Sequence, residues 1–234
     1  MTPPFLAYAA VATNNISLLK TTVSQITLQR QILQLNGTSP YKGLWQHIVG
    51  PSSQTLGLWS TGNAWAALGM ARVLATIKNW SKSAGWGETP DLVASYVYEI
   101  FDGVLAAQGN LDSSNGLVRS YIVGGSARFD DDSVTWFGEA AATAGLVATM
   151  YRMAVLDPAN AKTGTYIRWA DTARANVIKA IDSSSSILSP TVNPYDWMTL
   201  VPYTIGSPEG QAFAAMMGAA YVDCLNAGVC SKSS

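Results

Sequence analysis

Apolar and polar positions divide this chain into three similar units, each made of a turn, a loop and a nearly uncharged helix. The long apolar runs predict helices over Asn63–Ile77, Trp136–Leu156 and Pro208–Leu225. Because these runs are rich in alanine and glycine and poor in charge, we expect the helices to be buried on most sides. The turns that open the units recur after 73 and then 71 positions. This period predicts repeated copies of one supersecondary unit.

A second kind of helix, apolar on one face only, separates the buried ones. The one-sided pattern has helical spacing in Ile16–Leu35, Pro90–Gln108 and Thr165–Ile181. A short additional helix is predicted at Pro3–Ala12, where proline fits the first turn. Alternation of buried and half-buried helices is typical of stacked helical hairpins. The sequence therefore predicts an all-α fold with about four inner and three outer helices.

Composition excludes several classes of partner. Charged residues make up 12% of the 234 positions, against about 25% in an average soluble domain. The net charge of −1 offers no basic surface to nucleic acid. No apolar run reaches the roughly 18 residues of a membrane span. We expect residues 1–234 to form a single helical domain.

The candidate functional residues concentrate at the start of one predicted inner helix. His47, the only histidine, and Trp59 precede this helix, while Asn63 and Trp65 lie in its first turns. An imidazole, two indoles and an amide suit a sugar ring, which stacks on indole and needs hydrogen bonds for its hydroxyls. Glu139 is added to these candidates because it begins another apolar helix, where its carboxylate would face the same side.

Each candidate also has a purely structural explanation. His47 could be a hydrogen-bonded loop residue, Trp65 a core residue and Asn63 a helix cap. Glu139 could compensate the dipole at a helix start. The acidic run Asp130–Asp132 lacks the spacing of an EF-hand and is better explained as a solvated loop than as a calcium site.

Short motifs in order along the chain resemble glycoside hydrolase families 105 and 88, the unsaturated uronyl hydrolases of the six-hairpin glycosidase superfamily. They are GLWQH and WSTGNAW around the candidate residues, and PPFLAY, FGEAAATAG and GSPEGQAF elsewhere, which resemble fungal members. The resemblance implies an (α/α)6 toroid, in which six inner helices line a bowl and six outer helices surround it. Since about seven helices are predicted here, we expect an incomplete toroid, truncated at its N-terminal side and equal to the C-terminal two-thirds of the family fold.

The resemblance also implies a reaction. In these enzymes an aspartate is thought to protonate the C4=C5 double bond of a terminal unsaturated uronic acid, water adds at C5, and the hemiketal opens. The matching aspartate would precede Met1, so no general acid is assigned and His47 is the best polar candidate. Thr61 stands where family members commonly carry arginine, which weakens the expected recognition of a carboxylate. The expected substrate contacts are His47, Trp59, Asn63, Trp65 and Glu139, with no metal and no cofactor.

Three hypotheses follow from these residues and the resemblance. The chain could be a glycoside-hydrolase-like protein acting on pectin-derived oligosaccharides that end in an unsaturated uronic acid, with neither nucleic acid nor a membrane as partner. It could be a carbohydrate-binding remnant without catalysis. It could instead be a helical scaffold that binds protein, and exposed apolar edges could also cause self-association.

Three N-glycosylation sequons, at Asn15, Asn36 and Asn79, and the cysteine pair Cys224 and Cys230 indicate secretory ancestry, although no signal peptide is visible. The family resemblance points to the same extracellular location.

Overall fold

The computed structural model describes residues 2–123, 134–161 and 163–231. Within these ranges the chain forms seven α-helices: α1 (Thr2–Ala12), α2 (Ile16–Leu33), α3 (Ser60–Asn79), α4 (Thr89–Ala106), α5 (Ala140–Leu156), α6 (Thr163–Lys179) and α7 (Pro208–Asn226). In the same ranges, isolated antiparallel bridges link the loops and no strand is formed. The predicted all-α fold, with four inner and three outer helices, is confirmed.

The inner helices α1, α3, α5 and α7 lie side by side, with α5 packed between α3 and α7. Small residues allow this close packing. A Cβ atom added at Gly145 of α5 would lie 3.0 Å from Ala64 of α3 and 3.1 Å from the ring of Phe213 of α7. The glycine therefore sits where three inner helices meet, as the uncharged run predicts.

The outer helices α2, α4 and α6 pack behind α1, α3 and α5 respectively. Each buries one apolar face, which in α4 comprises Val93, Val97, Ile100 and Val104. Buried side chains from the inner and outer helices form one continuous hydrophobic core. Burial of this face, rather than intrinsic helix propensity, stabilises helices of such length.

The turns that lead from an outer helix to the next unit explain the sequence repeat. Asp112 accepts hydrogen bonds from the backbone and hydroxyl of Ser114, and Gly116 follows with φ +69°. Asp182 accepts the same pair of bonds from Ser184, and Ser186 follows with φ +59°. The second and third units thus begin with an aspartate-stabilised turn that ends in a left-handed residue.

Five helix starts differ from the prediction, and those of α1 and α6 do so by only one and two residues. Helix α5 begins at Ala140 rather than Trp136, because the backbone before it is extended and Gly138 pairs with Arg119. Helix α3 begins at Ser60, so Asn63 lies inside its first turn and does not cap it. Helix α4 begins at Thr89, one residue before the predicted start.

The two ends of the inner row leave apolar side chains exposed. On α1, Phe5 is 69% exposed and Tyr8 51%, and on α7 Val222 is 51% exposed. Self-association through these faces stays a prediction. A disulfide between Cys224 and Cys230 joins the segment after α7 to the helix.

Candidate functional site

The loops that precede α3, α5 and α7 form one surface at the N-terminal ends of these helices, which we call the rim (residues 45–59, 118–123, 134–139 and 188–206). Main-chain hydrogen bonds hold these loops together. Trp59 pairs with Tyr121, and Arg119 pairs with Gly138. The Ala140 amide then donates to the Pro190 carbonyl at 2.9 Å. The rim is therefore a continuous surface built from loops of three units.

At the rim, His47 lies among three aromatic rings, and we call these four residues the aromatic cluster. The imidazole centroid lies 4.4 Å from a ring of Trp59, 4.8 Å from a ring of Trp197 and 6.0 Å from the ring of Tyr121. Trp197 meets the imidazole edge-on. The side chains of His47, Trp59 and Trp197 are each partly exposed. A ligand at the rim can therefore reach an imidazole and two indoles together.

The imidazole of His47 is neutral at physiological pH and has a defined orientation. Burial lowers the pKa of His47 to about 4. Its Nδ1 lies 2.8 Å from the hydroxyl of Tyr121, whose pKa is raised by burial. Among the described residues this hydroxyl has no other hydrogen-bond partner, so we assign it as the donor to Nδ1. The ring proton is then on Nε2, which makes that nitrogen a donor.

A second group of side chains, which we call the acid cluster, joins the first turns of α3 and α7 to the start of α5. It consists of Thr61, Trp65, Glu139 and Glu209. Thr61 Oγ1 donates to Glu139 Oε2 at 3.0 Å, and the Trp65 indole N–H donates to Glu209. Trp65 also packs on the ring of Phe213, with centroids 4.6 Å apart. The two clusters are adjacent along the chain because Trp59 directly precedes α3.

Glu139 is the N-cap of α5 and is 1% exposed. Its carboxylate accepts from the amides of Ala141 and Ala142 at 3.1 and 2.5 Å and from the amide of Val192 at 3.3 Å. Burial raises the pKa of Glu139 to about 7, the hydrogen bonds oppose this rise, and the charge of Glu209 adds to it. Enclosed in this way, Glu139 supports the rim from behind and does not face a ligand.

Asn63 also has a structural role in the described geometry. Its amide oxygen accepts from the Trp45 amide at 2.8 Å, and its nitrogen donates to the carbonyls of Trp45 and Trp59 at 2.9 Å each. With 1% exposure, the side chain ties the loop of His47 to the start of α3. A substrate contact by Asn63 or Glu139 would require these bonds to break.

The predicted residues thus fall into three groups. His47 and Trp59 lie together at the rim, Trp65 lies in the acid cluster, and Asn63 and Glu139 are buried supports. Sequence reasoning missed Trp197, which lies in a loop without a motif. For Tyr121 the sequence carries a weak signal, because this residue lies one repeat period after Ile48, the neighbour of His47. Glu209 lies in the first turn of α7, where an acid favours the helix dipole, and its bond to Trp65 has no signal in the sequence.

Two further observations limit the chemistry of the described residues. No three His, Cys, Asp or Glu side chains among them come together as a metal-binding group. No helix in the described ranges has both the length and the apolar character of a membrane span. The run Asp130–Asp132, predicted to be a solvated loop, lies outside the described residues.

No protein-family model and no curated protein matches this chain by sequence. Solved structures do match its fold. One is from Salmonella enterica serovar Paratyphi A and is described as a possible member of glycoside hydrolase family 105. It superposes with a TM-score of 0.72 at 20% sequence identity, and the match covers 95% of this chain and 55% of the Salmonella protein. A family 88 glycosyl hydrolase from Bacteroides vulgatus superposes with a TM-score of 0.71 at 14% sequence identity. This match covers 95% of this chain and 60% of the hydrolase.

The chain has the all-α toroid fold of these glycoside hydrolases. A polysaccharide lyase also matches it, with a TM-score of 0.72 at 14% identity over 96% of this chain and 60% of the lyase. This chain spans 55% to 60% of the length of these three proteins. Since a lyase and a hydrolase share the fold, the fold by itself does not determine the reaction.

Proposed function

We propose that this chain supplies the sugar-binding rim of a glycoside-hydrolase-like protein that acts on pectin-derived oligosaccharides ending in an unsaturated uronic acid. The observation that carries the proposal is the aromatic cluster, in which Trp59 and Trp197 flank the imidazole of His47 at 4.4 and 4.8 Å. Indole faces bind the C–H face of a pyranose, and the Nε2–H of the neutral imidazole can donate a hydrogen bond to one of its hydroxyls. The fold supports the same class of ligand.

The chemistry that fits this ligand is hydration of the enol-ether double bond. A proton adds at C4, a hydroxyl from water adds at C5, and the hemiketal then opens to release the next sugar. In this reaction His47 would orient the ring or the attacking water through Nε2–H, since Tyr121 occupies Nδ1. We assign no general acid to the described residues, because Glu139 is enclosed and cannot touch a sugar.

Binding without turnover is the second candidate function, and Thr61 favours it. The resemblance places an arginine at this position, and the Thr61 hydroxyl already donates to Glu139 at 3.0 Å. The rim therefore has neither the charge nor the free hydroxyl that would hold a uronate at this point. Such a chain would bind sugar and leave the double bond intact.

A binding and turnover assay tests the proposal. Binding of an unsaturated digalacturonate is followed by tryptophan fluorescence, and turnover by loss of the ultraviolet absorbance of the C4=C5 bond. We expect Trp59→Ala and Trp197→Ala each to weaken binding by about tenfold, since aromatic contacts are worth about 1 kcal/mol or more. Trp86→Ala is the matched control, because Trp86 is partly exposed beyond the opposite end of α3.

The outcomes separate the hypotheses. Binding that depends on Trp59, with loss of the double bond, supports hydration. Binding that depends on Trp59 with the double bond intact supports the second candidate. Absence of binding, or equal weakening by all three substitutions, would contradict a sugar-binding rim and leave the protein-binding scaffold as the better hypothesis.

A further inference from the structure

Below the rim, the inner helices line two adjoining cavities. One has a volume of about 180 Å³ and lies between α1 and α3, lined by Phe5, Tyr8, Trp65 and Arg72 among others. The other, of about 490 Å³, is lined by residues of α1, α3, α5 and α7. Tyr8 and Arg72 line both cavities, so the two meet at these side chains. We call the combined space the inner channel.

Arg72 carries an uncompensated charge into the inner channel. Its guanidinium donates to the thioether sulfur of Met216 at 3.0 Å. Sulfur is a weak acceptor, and no carboxylate of the described residues lies within 4.0 Å of Arg72. Arg152, which lines the same channel, is instead paired with Asp223 at 2.7 Å. The fork of Arg72 thus retains donors for a planar anion.

Aromatic rings lie beside this charge. Trp65 and Arg72 are seven residues apart on α3, which places them on one face about 10 Å apart along the axis. Phe5 and Tyr8 of α1 form the opposite side of the smaller cavity and are 69% and 51% exposed. Aromatic faces with one cation between them recognise a sugar ring that bears a carboxylate.

The remaining charges orient such a ligand. Glu139 and Glu209 lie at the rim end of α5 and α7, and their negative charge repels a carboxylate, although Glu139, with a pKa of about 7, is only partly ionised at neutral pH. His47 contributes no positive charge there, because burial lowers its pKa to about 4. Arg119 is bonded to the carbonyls of Trp136 and Leu111. A carboxylate is therefore favoured at the depth of Arg72 and disfavoured at the rim.

We propose that Arg72 is a specificity-determining residue for a carboxylate-bearing sugar held in the inner channel, with its ring between Trp65 and the aromatic side chains of α1. The inference rests on the proposed function, since it assumes that the rim admits an oligosaccharide. It explains how a chain with Thr61 at the rim can still select an acidic sugar, because the cation of Arg72 lies about three helical turns further along α3.

The test compares trigalacturonate with its neutral counterpart, galactotriose, by titration calorimetry. We expect wild type to bind the acidic trimer at least about tenfold more tightly, as charge-assisted hydrogen bonds allow. Arg72→Gln should weaken the acidic trimer by about tenfold and leave the neutral one unchanged, while Arg72→Lys should restore part of the preference. Arg168→Gln is the matched control, since Arg168 is exposed on the outer helix α6.

Several results would overturn the inference. Arg72→Gln could weaken the binding of both trimers equally, or weaken the binding of neither. Inorganic sulfate could also compete for the site as strongly as the acidic trimer does. If one of these results is found while sugar binding still depends on Trp59, only the proposed role of Arg72 is wrong. If wild type binds neither trimer, the sugar-binding rim fails as well. A melting temperature for each variant ensures that only folded protein is compared.

Discussion

Glu139→Gln tests the electrostatics of the rim most directly, because the side chain is enclosed and the substitution keeps its shape. The carboxylate accepts hydrogen bonds from Thr61 and from the amides of Ala141, Ala142 and Val192. Burial nevertheless dominates, and it raises the pKa of Glu139 from 4.5 to about 7. The native state therefore holds a proton that the unfolded chain releases at lower pH.

The magnitude and sign follow from this difference in pKa. The proton held by native Glu139 contributes stability that is fully present below about pH 4.5 and is lost as the pH rises through about 7. At about 1.4 kcal/mol per pH unit, the loss amounts to about 3 kcal/mol in the free energy of unfolding. Glutamine does not titrate, so a Glu139→Gln variant lacks this part of the pH dependence.

The assay is urea unfolding of wild type and Glu139→Gln at a series of pH values from 4.5 to 8. We expect the stability of wild type relative to the variant to fall by about 3 kcal/mol across this range. Glu88→Gln serves as the control, because Glu88 is exposed and makes no side-chain cap bond. A difference between wild type and Glu139→Gln that is constant with pH would refute the reasoning. If wild type instead became more stable relative to the variant as the pH rises, the four hydrogen-bond donors would outweigh burial in setting the pKa of Glu139.

Three further changes test other parts of the structure. Gly43→Ala should cost about 2 kcal/mol more in unfolding free energy than Gly37→Ala, because both glycines have positive φ but a Cβ at Gly43 would lie 2.3 Å from a carbonyl of α4; equal costs would contradict the predicted clash. Tyr121→Phe should leave His47 as a mixture of neutral tautomers in ¹⁵N NMR spectra, and a single unchanged tautomer would contradict our assignment. Cys224→Ser should lower the free energy of unfolding by about 2 kcal/mol, because the disulfide that it removes closes a loop of six residues and restricts the unfolded chain. An unchanged midpoint of urea unfolding would contradict this stabilisation.

Most of the helical architecture could be predicted because it depends on patterns that the sequence carries. A period near 72 residues and the contrast between uncharged and one-sided helices indicated the inner and outer helices. The start of α5 was predicted too early, because Trp136 and Phe137 are apolar and only Gly138 and Glu139 separate them from the alanine-rich run. Its extended backbone arises from pairing between Arg119 and Gly138, two residues that lie in different loops.

The candidate site was predictable only in part, for a similar reason. His47 and Trp59 lie in one motif and prove to be neighbours. The partners that give this pair its environment, Tyr121 and Trp197, come from later units and have no shared motif. Asn63 was a plausible ligand contact by residue type, but its three hydrogen bonds to the backbone show that the amide holds a loop. Hydrogen-bond partners distant in sequence decide such roles.

The main-chain bridges of the rim separate the shape of this surface from its chemistry. Main-chain bridges between Trp59 and Tyr121 and between Arg119 and Gly138 hold the loops together with the buried side chains of Asn63 and Glu139, and none of these bonds involves His47 or Trp197. Natural variation or directed evolution can therefore exchange the side chains that touch a ligand while the scaffold persists. Such tolerance offers a physical route by which one architecture comes to serve both lyases and hydrolases, and it makes these loops the natural place for a library aimed at new ligands.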